Sequence, residues 1–443
     1  MDSLSSNQHA RSVVELSLNP VHRRNYCSIT RVVDEFYPEN EDRAAKNDAL
    51  TQILCQQCAA PHRAYHLFGV DCTPNPRRYS PTQVDRGFVY APNTLSGNKP
   101  VTIGHQYSIT AYLPEKMNDD TSSWILPLAC HRVRSDEKGP LVGMKQISQC
   151  LQSEEKFKDK LCVVVADSAY STPECLAETE KNPNQVQISR VRSNRVFYYP
   201  VLDENTIKMG RKKQFANAFK LKDESTWKEP DKQFELRLST KKGKNQMVKI
   251  NGWDNVIMRG SHQIKTAHYP FRLIQICLYK ESGQLFFKKP LWLMIFGEKR
   301  LELSLHTIFD AYRQRFDLEH FFRFGKNKLL MDKSQTPDVG HEEAWWQLVM
   351  IAYAQLYLAR DIAQNMPKPW EKYLPTFQSK RKASPTQVQK DFERIIRLLG
   401  TPAQPPKRLK KSLGRQKGER QIPRTRYPVV KKLVRNQINM ASP

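Results

Sequence analysis

Two apolar runs, each ending on an aspartate, constrain the fold of this chain more than any other feature. HLFGVDC starts at residue 66 and contains Asp71, and KLCVVVADSAYS starts at residue 160 and contains Asp167. Such runs are typical of strands buried within a sheet. We therefore expect an α/β fold in which both acids lie at carboxyl ends of strands, where ligand sites of α/β sheets open.

A third acid lies in a helical pattern that spans residues 303–330. There Tyr312, Arg315, Glu319 and Lys326 follow one another within AYRQRFDLEHFFRFGK. At about 100° per residue, their side chains project within an arc of about 60° over roughly 21 Å of helix axis. A carboxylate beside a guanidinium, an ammonium and a phenol suits a metal-bound, phosphate-rich substrate.

Together, Asp71, Asp167 and Glu319 supply the carboxylates that two-metal phosphoryl chemistry requires from separate elements. Mg²⁺ prefers hard oxygen ligands, usually one or two carboxylates with substrate phosphate and water. The alternative is that each acid follows its strand only because the chain returns to water there. For Tyr312 and Arg315 the alternative is an ordinary helix surface.

The charge of the chain indicates a polyanionic partner. Its 443 residues include 71 Lys and Arg against 45 Asp and Glu, a net charge of +26. From Lys380 onward, 18 basic residues face three acids, so more than half of the excess lies in the C-terminal part. Nucleic acid is the first candidate partner, and an acidic membrane surface is the second.

Neither a membrane span nor a secretory signal is evident in the sequence. The nine scattered cysteines are typical of reduced thiols in a cytosolic protein. Short alternating runs between Gly, Asn and Lys-rich turns predict an antiparallel β region at 185–290. The prolines and basic residues that follow Met366 predict a weakly ordered tail.

The order of the three acids and the spacing of the Tyr-Arg-Glu-Lys pattern resemble those of bacterial insertion-sequence transposases of the DDE type. Within that type, the resemblance is to the group that carries a Tyr-Arg-Glu-Lys signature. The resemblance covers about 61–365. It implies an α/β fold with a ribonuclease-H-like catalytic domain interrupted by a mostly antiparallel β insertion, a helical N-terminal unit and a basic, partly disordered C-terminal tail. The expected segments begin with a helical unit at 1–60, which is a candidate for binding DNA ends, and the first part of the catalytic domain at 61–184. The insertion at 185–290, the second part of the catalytic domain at 291–365 and the basic region at 366–443 follow.

By the same resemblance, Asp71, Asp167 and Glu319 are catalytic metal ligands for Mg²⁺, with Mn²⁺ as a candidate substitute. The resemblance also implies that three further side chains contact DNA phosphates beside the cleavage point. They are Tyr312, Arg315 and Lys326.

Two aromatic or basic positions are further candidates. Trp292 could stack on a DNA base, as a Trp does in some relatives, although its apolar neighbours favour a core position. The run RVRSNRVFYY could follow a phosphate backbone through Arg190, Arg192 and Arg195. Alternation places only the first two on one strand face, since Arg195 breaks the parity.

The expected function is that of a Mg-dependent DNA transposase, both endonuclease and strand transferase. It would cleave the ends of a mobile element and join the 3′-hydroxyl ends to target DNA. The expected partners are double-stranded terminal repeats and target DNA, with a homodimer in the synaptic complex and no membrane, in the cytoplasm at the nucleoid. The alternatives are a catalytically inactive or repurposed DNA-binding protein of the same fold, or a nuclease without strand transfer.

Overall fold

The structure is a computed structural model, and it describes most of the chain. The described residues are 1–24, 27–38, 42–91, 100–116, 122–201, 214–239, 245–260, 264–266, 268–364, 383–400, 416–420 and 422–431.

Within these ranges the chain forms twelve β-strands. They are β1 (Tyr65–Pro76), β2 (Gly87–Tyr90), β3 (Val101–Tyr112), β4 (Leu126–Val133), β5 (Leu161–Ala166), β6 (Gln185–Val191), β7 (Val196–Tyr198), β8 (Ala218–Lys220), β9 (Lys232–Ser239), β10 (Asn245–Val256), β11 (Phe271–Lys280) and β12 (Leu291–Phe296).

The same ranges contain ten α-helices. They are α1 (Asp2–Ser5), α2 (Cys27–Phe36), α3 (Arg43–Gln56), α4 (Gly139–Ser153), α5 (Lys156–Asp159), α6 (Pro173–Thr179), α7 (Leu305–Gln314), α8 (Phe316–Lys328), α9 (Val339–Leu358) and α10 (Pro385–Leu399).

The chain divides into two compact units. The first comprises Met1–Cys58, Cys72–Val142 and Asp317–Pro443, and the second comprises Ala59–Asp71 and Gly143–Phe316. The five segments expected from the sequence are not tested by this division and remain a prediction.

The second unit is built on one sheet with the strand order β1-β5-β6-β12-β11-β10-β9. The strands β1, β5 and β6 are parallel neighbours. Their apolar runs are buried within the sheet, as is typical of parallel strands. From β12 onward the pairing is antiparallel. The expected β region at 185–290 is therefore present, but its first strand, β6, pairs in parallel with β5.

In the first unit, β3 pairs antiparallel with both β2 and β4. Helix α9 is buried on nearly all sides, and the Asp338 side chain caps it by accepting a hydrogen bond from the His341 N–H at 2.9 Å. Helix α10 starts with the capping box that its SPTQ sequence predicts, between Ser384 and Gln387.

Two expected element ends differ from the structure. Strand β1 does not end on Asp71 but continues to Pro76, because residues beyond Asp71 still pair with neighbouring backbone. The helical pattern at 303–330 forms two helices, since the Arg315 N–H bonds to the Tyr312 carbonyl three residues back (3.1 Å) and ends α7 there.

Other features of the described part agree with the sequence. The nine cysteines are all free thiols. Among the described helices, none is both long and apolar enough to cross a membrane. Most of the predicted basic tail lies outside the described residues; of the part that is described, the Val430 N–H donates to the Arg86 carbonyl at 2.7 Å.

Candidate active site

The two aspartates are neighbours across adjacent parallel strands of the second unit. The register of β1 with β5 pairs Gly69 with Val165. Continued by two residues along both strands, this register would place Asp71 opposite Asp167, whose backbone is still extended (φ −81°, ψ −172°). Adjacent strands are about 4.8 Å apart, and residues in register project to the same side of a sheet. The register therefore predicts that the two carboxylates lie close together.

Each aspartate has a polar contact that fixes its position. Arg315 places its Nη1 3.5 Å from Oδ2 of Asp71, and the arginine side chain is only 10% exposed. Asp167 accepts a hydrogen bond from the Ala169 N–H at 2.8 Å and thereby caps the short turn Ser168–Tyr170. Both carboxylates remain partly exposed and accessible to a ligand.

Tyr312 is buried close to the same acids. Burial raises the pKa of the Tyr312 hydroxyl, while the nearby Arg315 and Arg190 charges oppose that rise and Asp167 adds to it. The hydroxyl makes no hydrogen bond of ordinary geometry with any described residue. At neutral pH it is therefore a protonated donor near the Asp167 carboxylate.

Arg190 also belongs to this cluster, and reading the sequence alone gave it little weight. The register of β5 with β6 pairs Ala166 with Ser189, so the next residues in register are Asp167 and Arg190. Arg190 is exposed and is a cation available to a phosphate. The row across three strands is Asp71, Asp167 and Arg190.

The other two arginines of that run lie around the turn after Asp167. Arg192 places its Nε 3.5 Å from the Ser168 hydroxyl, and Arg195 donates to the Ser171 carbonyl at 3.3 Å. The parity argument does not apply to Arg195, because β6 ends at Val191.

The remaining members of the predicted stripe, Glu319 and Lys326, belong to the first unit. Glu319 is exposed in the first turn of α8. Lys326 donates to the Thr73 hydroxyl at 2.7 Å and to the Pro74 carbonyl at 3.2 Å. Burial lowers the pKa of Lys326, although Asp332 opposes that shift.

The four residues are divided between two helices, because α7 ends at Gln314 and α8 begins at Phe316, and their common face remains a prediction. Tyr312 lies on the first helix, while Glu319 and Lys326 lie on the second. The other acid of the second helix, Asp317, is buried and pairs with Lys116 at 2.7 Å.

Trp292 lies in an aromatic core of the second unit and is 1% exposed. Its ring packs against Trp227, Trp253 and Phe219, with centroids 5.2, 5.8 and 6.1 Å away. The structure thus offers no exposed face of Trp292 for a base, and base stacking on it remains an unsupported prediction.

The two aspartates fit a divalent metal ion, because they present hard carboxylate oxygens from adjacent positions. Among the residues that the structure describes, however, no three His, Cys, Asp or Glu side chains form a group that could hold a metal. The role of Glu319 as a third ligand remains a prediction.

Comparison with solved structures gives a distant likeness. The chain is similar to the piggyBac transposase in a cryo-EM structure of its synaptic complex with hairpin DNA, with 10% identity over 85% of this chain and a TM-score of 0.38. The match covers 62% of that solved chain. No curated protein sequence matches the chain.

The family comparison is more extensive. Residues 1–250 match the family described as DDE superfamily endonuclease. The matched range is more than half of the chain, contains Asp71 and Asp167 and ends before Tyr312 and Glu319. The chain therefore belongs to the DDE superfamily endonuclease family.

Proposed function

We propose that this protein is a metal-dependent DNA transposase of the bacterial insertion-sequence type. It cleaves the ends of a mobile element and joins the 3′-hydroxyl ends to target DNA. The observation that carries this proposal is the parallel pairing of β1 with β5 up to Gly69 and Val165, two residues before Asp71 and Asp167, in a chain of the DDE endonuclease family.

The proposed fold of the catalytic part is ribonuclease-H-like with a β insertion. The parallel strands β1, β5 and β6 support this fold. The antiparallel strands β10, β11 and β12, which precede α7 in the chain, support the insertion. In this proposal Asp71 and Asp167 hold Mg²⁺, and Glu319 joins them as the third ligand. The bound ion would polarise the scissile phosphate and activate the attacking oxygen.

The basic residues of the cluster bind the DNA backbone in this proposal. Arg315 presents a planar fork suited to two phosphate oxygens, and the exposed Arg190 neutralises phosphate charge. The protonated Tyr312 hydroxyl donates to a phosphate oxygen. Lys326 acts as a point charge. Double-stranded DNA is thus the substrate, and two copies of the chain are proposed to pair two element ends.

The test is cleavage of a supercoiled plasmid that carries the DNA flanking this gene. We expect the wild type to cut in Mg²⁺ and to stop cutting when EDTA is added. Asp167→Asn should cut at least about 100-fold more slowly, because metal stabilisation of the transition state is worth several kcal/mol.

The matched control is Asp310→Asn, which changes an exposed acid of α7 whose side chain is 46% exposed. It should cut like the wild type. Equal rates for Asp167→Asn and the wild type would contradict the proposal.

A further inference from the structure

The loop between β11 and β12 exposes a group of large apolar side chains. All residues at 281–289 are exposed. Leu285, Phe286 and Phe287, here named the aromatic tip, are 45%, 45% and 60% exposed. Contiguous apolar surface of this kind marks a binding site more often than single exposed residues do.

The backbone of this loop is ordered by hydrogen bonds. The Phe286 N–H donates to the Leu278 carbonyl at 2.7 Å, and the Lys280 N–H donates to the Gln284 carbonyl at 2.8 Å. Gly283 turns the chain with φ +78°, which an L side chain rarely adopts. The two phenyl rings meet edge to face, with centroids 4.8 Å apart. The rings are therefore presented outward by a defined turn.

The charge around the aromatic tip is positive. Lys288 and Lys289 follow it directly and Lys280 precedes the loop, while Glu281 is the one acid at 280–289. Within the described ranges, none of these lysines forms an ion pair with a carboxylate. Exposed aromatic rings beside lysines suit a partner with flat rings and phosphates.

We propose that the aromatic tip binds unpaired or unstacked DNA bases, while Lys280, Lys288 and Lys289 contact the flanking phosphates. This inference rests on the proposed action on DNA and adds a second contact, on the β11–β12 hairpin. Phenyl rings stack on any base, so the tip recognises distorted or single-stranded DNA rather than a sequence.

The test compares two DNA probes bound to the full-length protein. One is a fully paired duplex, and the other has the same sequence with a central bubble that contains 2-aminopurine. For the variant Phe286→Ala/Phe287→Ala we expect at least about tenfold weaker binding to the bubble, because base stacking on an aromatic side chain is worth about 1–3 kcal/mol. Binding to the paired duplex should change less than about twofold, and the quenching of 2-aminopurine seen with the wild type should be lost.

The matched control is Phe88→Ala on β2, since Phe88 is 59% exposed, nearly as much as Phe287. It should bind both probes like the wild type. Lys288→Gln/Lys289→Gln should lower the slope of log affinity against log salt by up to about 2 for both probes.

Wild-type affinity of the double Phe variant for the bubble would overturn the inference. The inference would also be overturned if this variant lost a protein dimer in sedimentation equilibrium while its DNA binding stayed unchanged, because the tip would then contact a second copy. If the double Phe variant binds the bubble like the wild type while the wild type still cleaves DNA, only the inference about the aromatic tip fails. If the wild type binds neither probe, the proposed function fails with it.

Discussion

At the scale of single residues, the hydroxyl of Tyr312 allows a functional role of this side chain to be tested apart from a structural one. It is buried without an ordinary hydrogen bond to any described residue, which normally destabilises a protein by about 1–3 kcal/mol. Arg190, Arg315 and Asp167 are the charged groups that act on it. An unsatisfied donor beside arginines and a carboxylate is what a phosphate-binding position requires before its substrate arrives.

We therefore predict that Tyr312→Phe lowers DNA cleavage about tenfold, because a hydrogen bond to a charged phosphate oxygen is lost. Its thermal midpoint should stay within about 3 °C of the wild type, since the hydroxyl makes no hydrogen bond of ordinary geometry with a described residue. Both quantities can be measured on the same preparation.

The control is Tyr353→Phe, which removes another fully buried hydroxyl, on α9. Cleavage by this control should be unchanged. Wild-type cleavage by Tyr312→Phe would show that its hydroxyl has only a structural role.

The sequence indicated Asp71 and Asp167 more clearly than Arg190, for a physical reason. Asp71 and Asp167 end apolar runs, which is a local signal. Arg190 joins them only through the pairing of β6 with β5, and that register depends on residues far apart in the chain. The apolar neighbours of Trp292 in LWLMIF favoured the buried position that the structure shows, since Trp292 belongs to the aromatic core.

At the scale of elements, the sequence predicted which elements form better than where they end. The periodic pattern over 303–330 does not reveal the break at Arg315, because no Gly or Pro marks it and helical dihedrals continue there (φ −53°, ψ −31°). In the same way β1 passes through Asp71 without a turn residue. The local sequence therefore marks neither end.

A buried charge cluster joins β3, α9 and the segment that follows β1 in the first unit. Glu342 is fully buried and accepts hydrogen bonds from Arg77 and Gln83 at 2.8 Å and from Tyr107 at 2.9 Å. His105 Nδ1 lies 2.9 Å from the same carboxylate. Burial alone would raise the pKa of Glu342, but the His105 hydrogen bond and the His105 and Arg77 charges outweigh it and lower the pKa to about 2.

This cluster predicts acid sensitivity of the first unit. The folded-state pKa of Glu342 is below its unfolded value of 4.5, so its stabilisation is fully present above about pH 4.5. It is lost as the pH falls through about 2. The free energy of unfolding, measured with urea, should therefore fall between pH 5 and pH 2, and less steeply in Glu342→Gln.

That variant should also be less stable at pH 7 by about 3 kcal/mol or more, because Arg77 and His105 lose their buried partner. Glu302→Gln, an exposed control, should follow the wild-type pH profile. An identical slope in Glu342→Gln and the wild type would refute this linkage.

At the scale of the whole molecule, the strong positive charge and the family agree on a nucleic-acid substrate. In the proposed function, the net charge of +26 provides the electrostatic attraction that dominates DNA affinity, and the two aspartates provide the site for chemistry. The mixed α/β class of the fold follows from the sequence, and the role of both aspartates stays a prediction. The two-unit division and the aromatic tip do not, because they depend on which strands pair and which loops stay uncovered.

The assignment of Glu319 as the third catalytic acid is the central claim, because it links the signature in the sequence to the aspartate pair. The most direct measurement is Mg²⁺-dependent cleavage of an end-labelled duplex from the element end by wild type, Glu319→Gln and the exposed control Glu298→Gln. We predict that Glu319→Gln binds the duplex normally but cuts at least about 100-fold more slowly, while Glu298→Gln cuts like the wild type. Equal cutting by Glu319→Gln and the wild type would contradict the account.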